Sequence, residues 1–174
     1  LYNRGKIKGH RLSLQGQTLR NEEEGILKSH HLTMVLNNLH NEGQILSPKH
    51  IEIGIADRLD NTGEIASKGS LSVKGTGFLL NSGTLQSGKE GKLSLETKKA
   101  VNTRLIQANG DLLLNPGEEF LNEQGGWVQA LGLTEIKGKS TIINRSHRIE
   151  GEHWLDPDLE GAGFSLEDLL WFHA

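Results

Sequence analysis

The chain has 174 residues, 34% hydrophobic and only 5% aromatic, with 22 glycines, three prolines and no cysteine. Lys and Arg number 19 against 22 Asp and Glu, a net charge of −3, so the basic footprint of a nucleic-acid binder is missing. The lack of cysteine excludes a disulfide framework and a thiolate metal site, and the longest apolar run is far too short for a membrane span.

Such a composition favours many tight turns around thin, aliphatic packing. A cysteine-free chain suits the cytosol, and equally suits export through an oxidising compartment. The chain opens on Leu1, its sole methionine is Met34 and no signal peptide is visible. The expectation is of a segment inside a longer polypeptide.

Taken in order, the chain is periodic. Asparagine stands at positions 3, 21, 41, 61, 81, 102, 122 and 144, in steps of 18, 20, 20, 20, 21, 20 and 22 residues. A fixed period near 20 residues is the mark of a repeat architecture. An aliphatic column runs beside it through Ile7, Leu27, Ile45, Ile65, Leu85, Ile106 and Val128. Two residues on is a small one: Gly9, Ser29, Ser47, Ser67, Ser87, Ala108 and Ala130. Alternating pairs follow at Leu12/Leu14, Leu32/Met34, Ile51/Ile53, Leu71/Val73, Leu93/Leu95 and Leu112/Leu114, with Thr134/Ile136 a weaker seventh. A last apolar position falls two before each asparagine, at Leu19, Leu39, Leu59, Leu79, Ala100, Phe120 and Ile142.

Apolar spacing of two is the signature of strands. Each repeat therefore reads as two or three short strands divided by turns. Asn-x-Gly at 41, 61 and 81 reads as turn chemistry, because both residues tolerate positive φ. Twenty residues make one circuit of short strands, and stacking circuits as parallel strands about 4.8 Å apart buries every aliphatic column. About seven coils give a rod on the order of 35 Å long. Asn21, Asn41, Asn61, Asn81, Asn102 and Asn122 are expected to form a ladder at one corner, satisfying buried backbone groups.

A leucine-rich repeat competes with this reading, since Leu32-x-Met34-x-x-Asn37-x-Leu39 fits its frame. The equivalents of Asn37 elsewhere are Gln17, Ala56, Thr76, Lys98 and Gly117, so that asparagine does not repeat. The pattern N-x-G-x-[I/L]-x-[A/S], then L-x-L, then L-x-N, resembles the filamentous haemagglutinin repeats of large bacterial exoproteins exported by two-partner secretion, including adhesins and contact-dependent inhibition toxins. The resemblance covers Asn3 to Asn144. It implies a right-handed parallel β-helix, which agrees with the all-β solenoid read from the columns. The departures are two extra residues in 21–27, the missing glycine after Asn102, and a turn lengthened by Gly125-Gly126.

After Asn144 the pattern fades, so residues 1–144 read as the repeat domain and 145–174 as a non-repeat tail or cap. Ser165 with Asp168 resembles a capping box, and Phe164 with Leu169 a hydrophobic staple. A short C-terminal helix is expected over Leu166–Phe172, packing Leu169, Leu170 or Phe172 on the last coil.

Candidates for chemistry are few. His10, His30 and His50 stand 20 residues apart, near His31 and His40; on adjacent coils two of them could share a Zn²⁺. The alternative is a set of exposed turn residues, and no metal is assigned. Asp57, Asp60, Asp111, Asp156 and Asp158 share no column, so no pair of catalytic carboxylates stands out. Arg148-Ile149-Glu150 is similar to a short basic motif of polygalacturonases, but the acidic motifs that accompany it there are absent. Glu22-Glu23-Glu24 reads as a solvated turn, and Gly75-Thr76-Gly77 as a turn rather than a phosphate loop.

No cofactor and no enzymatic activity are expected. The resemblance implies a structural stalk segment of a secreted or cell-surface adhesin or toxin-delivery exoprotein. It implies an outer-membrane secretion transporter as a partner of the parent protein, and a receptor or glycan on a host or neighbouring cell. The alternatives are a receptor- or glycan-binding module on one face of the rod and, less favoured, a carbohydrate-active β-helix enzyme.

Overall fold

A computed structural model describes residues 1–137 and 141–146 with their side chains, and residues 149–155 as backbone. The strands in chain order are β1 (Tyr2–Asn3), β2 (Lys6–Asn21), β3 (Ile26–Asn41), β4 (Gln44–Ser47), β5 (His50–Asn61) and β6 (Glu64–Ser67). They continue as β7 (Ser70–Gly75), β8 (Phe78–Asn81), β9 (Thr84–Ser87), β10 (Lys92–Glu96), β11 (Lys99–Asn102) and β12 (Leu105–Ala108). The last are β13 (Asp111–Leu114), β14 (Glu119–Asn122), β15 (Trp127–Ile136), β16 (Thr141–Asn144) and β17 (Ile149–Leu155).

Strands pair with the coil before and the coil after, always in parallel. One wall runs β4–β6–β9–β12–β15. A second runs β5–β7–β10–β13–β15. A third runs β5–β8–β11–β14–β16. The long strands β2 and β3 bend through all three walls and pair along most of their length. The chain is a parallel β-solenoid, as the columns predict. Asn37 belongs to an outer corner, where its Nδ2 donates to Gln17 Oε1 at 2.8 Å, so it is not the buried asparagine of a leucine-rich repeat.

The predicted columns lie in register and point inward. From Leu27 to Val128 the first is fully buried, as are Leu32/Met34 to Leu112/Leu114 on the second wall and Leu19 to Phe120 on the third. Burial of each such side chain is worth about 1.5–3 kcal/mol, and alternation gives every coil its share. Leu36 and Ile55 add a short inner column on the second wall. The small column marks the second corner. Ser29 Oγ donates to the His10 and His31 carbonyls, Ser47 Oγ to that of His30 and Ser67 Oγ to that of Lys49.

The glycine of Asn-x-Gly has a different cause from the one expected. Among the described glycines only Gly75 (φ 144°) and Gly125 (φ 90°) have positive φ. A Cβ on Gly43, Gly63 or Gly83 would instead stand 2.1–2.2 Å from the carbonyl oxygen of the glycine one coil earlier. Glycine is needed there because stacked corners approach closely. The two lengthened corners meet the same demand later: Gly25 and Gly126 stand four after their asparagines, and each N–H closes a tight turn onto Glu22 O or Glu123 O at 2.8 Å.

The ladder runs past Asn144, because β17 pairs in parallel with β15. The helix expected over 166–172 lies outside the described residues, with Asp156 and Asp158. At the opposite end β1 pairs only with Arg20 and Asn21 of β2. No other described strand lies on that side of β2, and Ile7, Leu12 and Leu14 are half-buried there.

Candidate functional site

The most ordered polar feature is the asparagine seam at the first corner. Asn3 Nδ2 donates to Asn21 Oδ1 (2.7 Å), Asn21 to Asn41 (2.8 Å), Asn41 to Asn61 (2.7 Å) and Asn61 to Asn81 (2.8 Å). Asn81 donates to Asn102 (2.8 Å), Asn102 to Asn122 (2.8 Å) and Asn122 to Asn144 (2.9 Å). Asn21, Asn41, Asn61, Asn81, Asn102 and Asn122 are all wholly buried. Each also donates to corner carbonyls: Asn41 reaches Gly43 O and Glu64 O, and Asn81 reaches Gly83 O and Leu105 O. Both amide protons are used inside the stack, so the seam offers no outward ligand group and does the structural work expected of it.

The histidines gather near the second corner, but not as one column of three. The His10 and His30 ring centroids are 4.8 Å apart, and His10 and His31 are 6.2 Å apart. His50 lies opposite His31, not His30. The step from coil two to coil three is 18 residues on the first wall (Leu27 to Ile45) and 19 on the second (His31 to His50). An even spacing of 20 therefore does not keep His30 and His50 together. Among the described residues no group of three or more His, Asp, Glu or Cys stands where it could hold a metal. Desolvation, then Arg11, Lys49, His10 and His50, lower the His31 pKa below the ordinary 6.5.

His40 sits apart, its Nδ1 3.4 Å from Asp60 Oδ2, and Asp60 accepts from Arg58 Nε at 2.7–2.8 Å. Asp111 takes the Leu133 N–H at 3.0 Å on the second wall. Asp57 is exposed at the third corner. Glu23 and Glu24 are exposed while Glu22 meets Arg20 at 3.4 Å. Thr76 Oγ1, between Gly75 and Gly77, donates to Ala56 O, a plain corner contact.

Two outward features escaped sequence reading. Ala66, between Leu46 and Gln86 in register, floors a shallow depression of about 510 Å³ on the first wall, edged by Lys28, Lys68, Lys89 and Glu64. Leu80, Val101, Leu121 and Ile143 stack as a half-buried outward stripe on the third wall. The depression was hidden because its outward positions vary from coil to coil, whereas the stripe, one residue before each of Asn81, Asn102, Asn122 and Asn144, does repeat in the sequence. Comparison with protein-family models, with curated proteins and with solved structures finds no match to this chain.

Proposed function

We propose that the chain is a spacer: a stalk segment of a secreted bacterial filamentous adhesin or toxin-delivery exoprotein. The observation that carries the spacer reading is where the regularity lies. Inward columns and the asparagine seam repeat from coil to coil, whereas an outward column such as Lys28, Leu46, Ala66, Gln86 changes chemistry at each step. A catalytic site would need acids, bases or ligands within hydrogen-bond reach of one reacting position. The secreted setting rests on the resemblance of the repeat to filamentous haemagglutinins.

In a one-dimensional stack each coil contacts mainly its neighbours. Removal of residues 61–80 joins Asp60 to Asn81 in existing register. It should leave a folded rod shorter by about 5 Å, with export and adhesion of the parent protein nearly unchanged. A second reading, a glycan-binding face, is favoured by the lysine-edged depression, and the same deletion removes its Glu64, Ala66 and Lys68. A shortened chain that folds and is exported but no longer adheres would replace the spacer reading with that one.

A further inference from the structure

We infer that the lysine-edged depression on the first wall binds an acidic saccharide, a sugar whose charge is a carboxylate. The inference rests on the glycan-binding reading and names the class of glycan that this site takes.

The depression forms where outward side chains become short. In the column Lys28, Leu46, Ala66, Gln86 the side chain shrinks to a methyl at Ala66, between longer neighbours. At the adjoining second corner the lining residues Pro48 and Gly88 project no long side chain, and a Cβ on Gly88 would strike Lys68 O. Three exposed lysines, Lys28, Lys68 and Lys89, stand at the rim. Among the described residues none of the three has an ion-pair partner. Glu64 is the one carboxylate in the lining, and it accepts a hydrogen from Gln44 Nε2 at 3.0 Å. Just outside, Lys8 stands opposite Lys28 in register, Lys49 follows Pro48 and Glu90 follows Lys89. Five ammonium groups therefore face two carboxylates, and the rim is positive. Lys68 and Lys89 lie at its second-corner side, while Glu64 opens β6 on the side of the asparagine corner.

The class of anion follows from what the site offers. An extended peptide docks on a sheet by pairing with an open strand edge, but β4, β6 and β9 are each paired on both sides. A nucleotide base stacks on an aromatic side chain, and no lining residue is aromatic. A small inorganic anion would use the amines alone and leave the floor bare. A sugar acid uses every part. Its carboxylate meets Lys68 and Lys89, and the C–H face of its ring lies over Leu46 and Ala66. One hydroxyl donates to Glu64, and another accepts from the Gln86 amide, which makes no side-chain hydrogen bond of its own among the described residues. An apolar floor with a few placed polar groups is the usual make-up of a small-ligand site. The volume of about 510 Å³ holds sugar rings rather than a lone ion. The contact is one of binding, since Glu64 has no second carboxylate in the lining and glycoside hydrolysis uses a pair.

Calorimetric titration of the full chain tests this with three probes: a short glucuronate oligomer, its neutral glucose counterpart and a glutamate peptide of equal charge. The glucuronate oligomer should bind, and more weakly as salt is added. The neutral oligomer and the peptide should each bind at least about tenfold more weakly. Lys68→Gln with Lys89→Gln should weaken glucuronate binding about tenfold, and Ala66→Phe, which fills the floor from outside the core, should abolish it. Lys98→Gln, at the third corner, should bind as the native chain does, and circular dichroism checks that each variant keeps the fold. Equal binding of the neutral oligomer would leave the glycan-binding reading standing and overturn this inference, whereas no binding of either saccharide would overturn both. A glutamate peptide that binds as tightly as glucuronate, or a folded double-lysine variant that binds as before, would also overturn it.

Discussion

Removing Asn61 tests the seam where it is most enclosed. In the native stack Asn61 takes a hydrogen from Asn41 Nδ2, and gives one to Asn81 Oδ1 at 2.8 Å and another to Thr84 O at 3.0 Å. Asn61→Ala deletes all three contacts. Asn41 Nδ2 keeps Gly43 O and Glu64 O, so that donor is not stranded. Asn81 Oδ1 has no other donor to turn to and lies in a fully buried residue. Three net hydrogen bonds at about 1 kcal/mol each, with one orphaned acceptor at about 1–3 kcal/mol, place the loss near 4–6 kcal/mol. Asn3→Ala, at the start of the seam, loses one link to Asn21 and one local contact and strands the buried Asn21 Oδ1 in the same way, so it should cost about 3–5 kcal/mol. Urea denaturation followed by circular dichroism measures both. A solenoid can unfold in stages, so coincidence of the transition with a second probe, tryptophan fluorescence, is part of the assay. A loss for Asn61→Ala below about 0.5 kcal/mol, the range of a neutral surface change, would refute a cooperative buried seam.

Three further outcomes follow from the same stack. Ile65 is wholly buried between Ile45 and Leu85, so Ile65→Asp should cost several kcal/mol, while Lys68→Asp on the outside should change stability by under about 0.5 kcal/mol; equal thermal shifts would contradict the orientation. Gly63→Ala places a Cβ 2.2 Å from Gly43 O and should cost about 1–3 kcal/mol, whereas Gly54→Ala, whose Cβ meets nothing nearer than 3.7 Å, should be close to neutral in the same melt. Because the His31 pKa is lowered in the fold, its contribution to stability is present above pH 6.5 and is lost as pH falls through 6.5 towards the folded value. Thermal melts should therefore show a smaller loss between pH 7.5 and 5.5 in His31→Gln than in the native chain. Glu135, held below the ordinary 4.5 by Lys137 and then Lys92, acts in a separate window, its contribution disappearing only below that pH.

The interior was legible because it repeats. Inward positions are fixed by stacking, so the same residue type returns in each coil, and Ile45, Ile65 and Leu85 announce their column without a structure. What was misread lies at corners. The spacing of 20 holds on the third wall, where Leu39 meets Leu59, but shrinks to 18 on the first, where Leu27 meets Ile45. Two extra residues after Asn21 and a shorter return absorb the difference, so His50 left the column that its number suggested. The corner glycines were visible, yet their cause was not, since positive φ and close approach select the same residue. The strand Ile149–Leu155 was missed because the polar His153 stands in the column of buried Thr134, and only pairing with β15 reveals it.

The seam also has a mechanical consequence. All its amides point the same way, each Nδ2 toward the coil that follows, and the links of 2.7–2.9 Å lie along a single corner. Short hydrogen bonds weaken steeply when stretched or bent. The second corner is tied by serines only as far as Ser67. A sideways load that stretches the asparagine corner works against every link at once, while one that stretches the opposite wall meets fewer side-chain ties. The rod is therefore stiffer in one direction of bending than in the other, with the asparagine corner as its tension member.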